Sequence, residues 1–266
     1  MPLRVVTVRP RDRAAYAEGI AALERGTSYP LGDDRFELDH GGDYFAFFDR
    51  LGETVYEVAL DGDRVVGVSA RILRSRPVRC WYLCNLKVYP EYRGQRIAAR
   101  FARHALLGAY TRCGRGYGIS MNEPGRGENR VARLVDRLRM VPFHAADLEL
   151  FSLDASAMAE LRPIVERHRG PTSYLSLAGK KDLVLETTGA PLPLLHVQFG
   201  PCAERGLDDV APGHTHMLCA PAGDALALDL VAHGAEPSAT ATVLHHRMPK
   251  PSNGAGRFDF VLTSDI

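Results

Sequence analysis

The stretch 88-VYPEYRGQRIAARF-101 changes character in its middle. The run that leads into it, 79-RCWYLCNLKV-88, is strand-like and stops at Pro90. Arg93 and Gly94 follow, and from Ile97 the spacing is that of an amphipathic helix, with Ile97, Phe101 and Ala105 on one stripe and Ala98, Ala102 and Leu106 beside them. A strand that feeds a tight turn and then a helix leaves several backbone N–H groups unpaired at the positive end of the helix dipole, which makes a cradle for an anion. Gly94 lets the main chain come close to such an anion, and Arg93 and Arg96 add charge beside it. The same cues fit a solvated β–α connection, so the surrounding order of elements decides between the two.

That order is readable over the first 150 residues. A short strand, 3-LRVVTV-8, precedes a helical pattern over residues 12–25 that ends at Gly26. The acidic segment 27-TSYPLGDDRFELDHGG-42 reads as a loop leading into a short aromatic helix, 43-DYFAFFDRL-51. Asp61-Gly62-Asp63 joins 54-TVYEVAL-60 to 64-RVVGVSARILR-74 as a hairpin. After the turn and its helix come a buried strand, 116-GYGISM-121, a helix in 128-ENRVARLVDRLRM-140 and a closing strand, 147-DLELFSLD-154. From about Ala155 a linker helix ends at Gly170-Pro171. The remainder turns mostly to strands, 182-DLVLET-187, 194-LLHVQFG-200, 215-THMLCA-220, 240-TATVLHHRM-248 and 258-FDFVLTS-264, with one helix around 223-GDALALDLVAHG-234.

Composition limits the partners. The 266 residues are 45% hydrophobic, enough for a sizeable core, and 33 basic residues against 32 acidic ones form no long like-charge block. No broad field attracts nucleic acid or an anionic membrane, and no apolar run is long enough for a signal peptide or a bilayer span. Five cysteines without CxxC spacing mark neither a disulfide framework nor a zinc site, and a cytoplasmic protein with reduced thiols is expected. His214 and His216 alternate on one strand and His245-His246 lies on another; they could share a metal only if those strands were neighbours, no third ligand is marked, and no metal is expected.

The segment 86-LKVYPEYRGQRIA-98 resembles the acetyl-CoA-binding motif of the GNAT acyltransferase superfamily, in which a strand of the form L-x-V-x-P leads to Q/R-x-x-G-x-G/A. Leu86, Val88, Pro90, Arg93 and Ala98 match it, and Arg96 replaces its central glycine. The element order of residues 3–153 is also similar to that family's. The resemblance implies an α/β mixed-sheet fold: residues 1–154 a GNAT acyl-CoA-binding catalytic domain, and residues 155–266 a smaller α/β domain, read from its element order as a degenerate GNAT-like copy. It implies acetyl-CoA or another acyl-CoA as cosubstrate, with the pyrophosphate on the amides of Gln95, Arg96, Ile97 and Ala98, Gly94 letting the backbone come close. The main-chain groups of Leu86 and Val88 would face the pantetheine arm in a gap where 80-CWYLCNLKV-88 splays from 116-GYGISM-121, with Asn122 and Asn129 as polar candidates beside it. The acceptor is a small-molecule or peptide amine, and the C-terminal region is expected to wall its site or to join subunits of a homodimer.

The catalytic groups are less marked. The family's α-helical tyrosine, which serves as general acid, is replaced by Val135 or Asp136, and its strand carboxylate by Cys84 and Asn85. Asn85 can orient water or the acceptor but cannot act as a base. Cys84 is a nucleophile only if its pKa is lowered, and otherwise a buried thiol. Tyr82 shares the strand face of Cys84 as a third candidate or as pocket wall. The acidic groups Asp33, Asp34, Glu37, Asp39 and Asp43, set among Tyr29, Phe36, Tyr44, Phe45 and Phe47, suit a cationic acceptor or form a solvated loop over an aromatic core. Arg71, Arg74, Arg76 and Arg79 meet an acidic substrate or the nucleotide phosphate, or decorate an exposed turn. The expected activity is N-acyl transfer, most simply of an acetyl group, by direct attack of an amine on the thioester. The alternatives are a non-enzymatic acyl-CoA-binding regulatory or interaction protein, and transfer from another acyl carrier or to another acceptor atom.

Overall fold

The computed structural model describes residues 3–125, 129–138, 142–249 and 257–266. Its first half runs β1 (Arg4–Val8), α1 (Arg13–Glu24), β2 (Ser28–Leu31), β3 (Asp34–Asp39), α2 (Ala46–Asp49), β4 (Glu53–Asp61), β5 (Arg64–Arg74), β6 (Cys80–Val88), α3 (Ile97–Arg112), β7 (Gly116–Met121), α4 (Arg130–Leu138) and β8 (His144–Leu153). The second runs α5 (Ala155–Arg169), β9 (Ser173–Leu175), β10 (Asp182–Leu185), β11 (Leu194–Gln198), β12 (Thr215–Pro221), α6 (Ala225–Ala232) and β13 (Pro237–His246).

Ten strands form one sheet in the order β1-β4-β5-β6-β7-β13-β8-β12-β11-β9. Two neighbouring pairs in it run parallel, β6 with β7 and β11 with β12. They stand symmetrically about the antiparallel pair β13–β8. Strand β13, from the second half, lies between β7 and β8 of the first; β8 in turn lies between β13 and β12 of the second. Each half therefore completes its sheet around a strand that the other supplies. Because β8 separates β12 from β13, His216 and His245 are not on adjacent strands.

Period-two alternation sorts the side chains onto two faces. Tyr56, Val58, Val68, Ala70, Ile72, Tyr82, Tyr117, Leu148 and Val243 form one core with Ile20 and Leu23 of α1, Phe47 and Phe48 of α2, and Phe258 and Phe260 near the C-terminus. The opposite face carries α3, through Ile97 and Phe101 on Ala59 and Val66, and at the other end α5 and α6, through Met158, Val165, Leu226 and Leu230 on Phe151, Val197 and Leu218.

Two segments differ from their sequence-based expectation. The acidic loop 27–42 is the β2–β3 hairpin, to which β10 adds a third strand, Leu183 opposite Leu38 and Leu185 opposite Phe36. The alternation of Phe36 and Leu38 with Arg35, Glu37 and Asp39 is a strand period that the acidic composition conceals. Residues 258–264 are not a strand but a turn followed by a short 3-10 helix at Thr263–Asp265. Their apolar side chains pack beneath the large sheet, and the polar ones bond to it: Thr263 to His196, Ser264 to Gln198, Asp265 to Arg74.

Arg71 and Arg74 are likewise not on an exposed turn. Arg71 pairs with buried Glu57 at 2.5 Å, and Arg74 donates to Asp265 at 2.6 Å and to the Tyr117 hydroxyl at 3.0 Å. Arg50 of the first half joins this cluster, 3.8 Å from Asp265 and paired with Glu204. Asp265 thus ties the C-terminal segment to the first half, as Thr263 and Ser264 tie it to β11 of the second, at a site where Arg74 is only 6% exposed. Asp265→Ala leaves Arg74 buried without its carboxylate, so urea unfolding should show a loss of about 3–5 kcal/mol.

Candidate functional site

The parallel pairing of β6 with β7 covers only Trp81–Gly116, Tyr82–Tyr117 and Leu83–Gly118. Glycine is needed there, since a Cβ at Gly116 would stand 2.9 Å from the Trp81 carbonyl oxygen and one at Gly118 2.8 Å from that of Leu83. Beyond that clamp the strands part. β7 continues beside β13, and β6 stays with β5 through a bulge in which Asn85 and Leu86 oppose Ser69 alone. Asn85 takes φ +53°, a left-handed conformation that asparagine tolerates better than most side chains. The main-chain groups of residues 84–88 that point toward β7 consequently have no strand partner.

Past Tyr89 the chain turns through Pro90–Tyr92, Arg93 and Gly94 into α3. The N-cap is Arg96 at φ +59°, and no side chain caps the helix. A non-glycine residue in this conformation costs about 1–2 kcal/mol, which is the physical reason the motif favours glycine here. Gly94 has φ +85° and open space where a Cβ would stand, so its requirement is conformational rather than steric. Arg93, Gly94, Arg96, Ile97 and Ala98 line one large cavity of about 1960 Å³; Gln95 is exposed beside them, its amide 3.4 Å from the Tyr92 carbonyl oxygen. The cavity follows the groove between α3 and α4, where Arg103, Arg130, Arg133 and Arg137 contribute cations. In the sequence these arginines are marked only by their recurrence along the two helices.

Asn129 lines the same groove. Its side-chain oxygen accepts from the Val131 amide at 2.9 Å, starting α4, and its Nδ2 donates to the carbonyls of Ser120 and Met121, both at 3.2 Å. Asn122 stands behind it: its Oδ1 accepts from Asn129 and from the Thr242 hydroxyl, and its Nδ2 donates to Thr240 of β13. Asn122 therefore fixes Asn129 and does not itself line the cavity.

Through the gap between β6 and β7 the cavity crosses the sheet to the face covered by α1, α2 and the small sheet. Just past the bulge, Asn85 Nδ2 donates to the Tyr44 hydroxyl, Tyr44 donates to Glu24 Oε2 at 3.2 Å, and Glu24 Oε1 pairs with Lys87. Glu24 is 5% exposed, and burial pulls the Lys87 ammonium down to about 7. The extra residue of the bulge turns Lys87 to this face, whereas simple alternation from Cys84 would send it to the other. Tyr82 is stacked on Tyr117 at 5.0 Å, its pKa pushed well up by burial. Burial also raises the Cys84 thiol, leaving it protonated at neutral pH. The acidic side chains of the hairpin are engaged locally: Asp34 with Thr187, Glu37 with the Gly26 amide, Asp39 with that of Gly41 and Asp43 with that of Phe45. Of the aromatic residues of this region the cavity takes Tyr29, Phe36 and Phe47, together with His40, and not Tyr44 or Phe45.

The chain can be compared with known proteins on this geometry. No family model matches the sequence, and no curated protein sequence does. Among solved structures, a tandem GNAT protein from the clavulanic acid biosynthesis pathway is similar over 94% of this chain and 100% of its own, with a TM-score of 0.55 and 13% identity. The ribosomal-protein-S18-alanine N-acetyltransferase from Escherichia coli overlaps 56% of this chain and 81% of its own (TM-score 0.39, 13% identity), and nourseothricin acetyltransferase 56% and 87% (TM-score 0.38, 17% identity). The architecture is the GNAT fold. It is the tandem form of that fold, an α/β structure built on one large mixed sheet.

Two outcomes follow from the site's geometry. Gly94→Val forces a β-branched residue to φ +85° and displaces the amides of the turn, so calorimetry should find CoA binding weaker by about tenfold or more with the fold intact; Arg93→Ala should cost less, because the amides remain. His40, 5% exposed and donating from Nδ1 to the Lys180 carbonyl at 3.1 Å, has its pKa lowered by burial to about 4. Its folded value lies below the unfolded one of about 6.5, so its contribution is complete above pH 6.5 and is lost as pH falls toward 4, to a limit of about 3 kcal/mol. His40→Asn, which retains a donor near Nδ1 but does not titrate, should flatten the urea midpoint across that window.

Proposed function

We propose that the protein is an acyl-CoA-dependent N-acyltransferase, most simply an acetyltransferase, that joins an acyl group to a small-molecule or peptide amine. The carrying observation is the passage through the sheet where β6 leaves β7. It links an uncapped, arginine-flanked helix start on one face to the Glu24–Tyr44–Asn85 network on the other. The residues fit acyl-CoA as substrate. The amides of Gly94, Arg96, Ile97 and Ala98 with the Arg93 and Arg96 side chains take the pyrophosphate, the α3–α4 arginines the remaining phosphate, and the parted edges of β6 and β7, with Asn129, the pantetheine amides.

The thioester then lies at the bulge, and the amine comes from the opposite face. Its nitrogen attacks the carbonyl carbon, an unpaired main-chain amide of β6 stabilises the developing oxyanion, the C–S bond breaks and CoA leaves as thiolate. Glu24 takes the proton the amine loses, directly or through water held by Asn85 and Tyr44. It supplies from α1 the carboxylate that β6, with Cys84 and Asn85, does not carry. With no tyrosine on the described part of α4, the thiolate collects its proton from solvent in the groove.

Purified protein given acetyl-CoA and a panel of amines should release free thiol only when an acceptor is present. Glu24→Gln should lower kcat about a hundredfold with CoA affinity unchanged, and Cys84→Ala should be tolerated. An acyl-cysteine trapped at Cys84 would replace direct attack with a covalent route. Tight CoA binding without turnover on any amine would instead favour a non-enzymatic CoA-binding protein.

A further inference from the structure

The cavity does not end at Asn85. It continues beneath the small sheet, where Phe36, Leu38, Phe47, Leu183 and Met217 line an apolar chamber, and reaches Lys181 and His196. His196, on β11, is 1% exposed, and its two ring nitrogens are not equivalent. The Thr263 hydroxyl gives its single proton to the Met217 carbonyl at 2.9 Å, so the 3.0 Å contact between Thr263 Oγ1 and His196 Nδ1 is a bond donated by the histidine. A ring with its one proton on Nδ1 presents a bare lone pair at Nε2. Burial, with Lys181 and Arg50 nearby, keeps the ring neutral. His196 lines the chamber, but its Nε2 is covered by neighbouring side chains and meets no hydrogen-bond partner among the described residues, so a group that reaches it must shift those side chains. Leaving such an acceptor unsatisfied costs about 1–3 kcal/mol.

The group that can answer this lone pair is narrowly defined. A carboxylate or phosphate offers only further lone pairs. An ammonium would be set beside Lys181 and Arg50, whose charges already act on this ring. A neutral hydroxyl or amide N–H brings a proton without a charge. We propose that the chamber holds the body of the amine acceptor, an apolar molecule whose end remote from the amine carries a neutral O–H or amide N–H that donates to His196 Nε2. The assignment rests on the acyltransferase proposal for its amine end, which Glu24 receives, and deepens it by naming the substrate class. His196 acts here by recognition, at the far end of the cavity from the bulge. Its effect on selectivity has a definite sign. An apolar chamber without a buried acceptor prefers the analogue that lacks the hydroxyl, whereas a chamber with one rejects that analogue.

Calorimetry on the apo protein with matched amines reads that sign: tyramine against phenethylamine, and ω-amino alcohols of four to ten carbons against n-alkylamines of equal length. In the wild-type protein at least one hydroxyl-bearing member should bind about tenfold or more tighter than its partner. His196→Asn can keep the bond to Thr263 but has no atom at Nε2, and should bring the ratio to unity or reverse it while CoA affinity stays unchanged. Should that variant fold poorly, ¹⁵N-histidine spectra of the wild-type protein serve instead: the Nε2 resonance should move with the hydroxyl amine and stay with its partner. A preference for the plain amine in every pair, a hydroxyl preference that survives His196→Asn, or a silent Nε2 resonance would each overturn the assignment. These titrations require neither acyl-CoA nor turnover. Selective binding of amino alcohols by a protein that transfers no acyl group would therefore sink the acyltransferase proposal while leaving the chamber assignment standing.

Discussion

The feature on which the site depends is the parting of β6 from β7. Two parallel strands joined through a helix would normally continue side by side to their ends. Here the glycines of 116-GYG-118 press β7 onto β6 for three residue pairs, and the bulge at Asn85 then holds β6 to β5 while β7 follows β13. A sheet closed at that point would separate the α3 groove from the chamber beneath the small sheet. Its opening makes them one cavity, so that groups on opposite faces can meet at a single set of atoms.

Electrostatics divides that cavity into unlike regions. The α3–α4 end is cationic and open, as binding of a polyphosphate requires. The middle holds a buried ion pair, Glu24 with Lys87, spanned by hydrogen bonds from Tyr44 and Asn85. The inner end is apolar, and the charged groups near it are desolvated: burial takes Lys181 to about 7 as it does Lys87. Charges buried this deeply are costly, and they persist because each is hydrogen-bonded, Lys181 to the carbonyls of Thr263 and Ile266.

The sequence carried the proposed acyl-CoA side of this arrangement more clearly than the proposed acceptor side, and the reason is physical. The turn at Arg93–Gly94 and the helix that follows are contiguous, and contiguous signals survive in one dimension. Glu24, Tyr44, Asn85 and Lys87 come from α1, the approach to α2 and β6, and only the packed fold brings them together. Two local features also misled. The bulge turns Lys87 against the plain alternation of its strand, so no period in the sequence marks it, and the acidic residues of the β2–β3 hairpin suggested a site for a cationic acceptor although their carboxylates serve turns and neighbours. Residues 258–264 carried an apolar pattern fit for a strand, yet the places on the large sheet are filled by β8 and β13, and the segment packs against its face instead.

The exchange of β8 and β13 bears on how the chain is made. During synthesis β13 emerges more than a hundred residues after β7, and until it arrives both β7 and β8 present hydrogen-bonding edges with nothing to fill the space between them. Exposed strand edges invite pairing with other chains. The emerging first half is thus the stage at which this protein is most open to aggregation or to borrowing a strand from a neighbouring molecule. The pairing of Thr242, Val243 and Leu244 across to both β7 and β8 is the event that ends that exposure, and a nascent chain stalled before it would hold the Arg93–Gly94 turn with no finished sheet behind it.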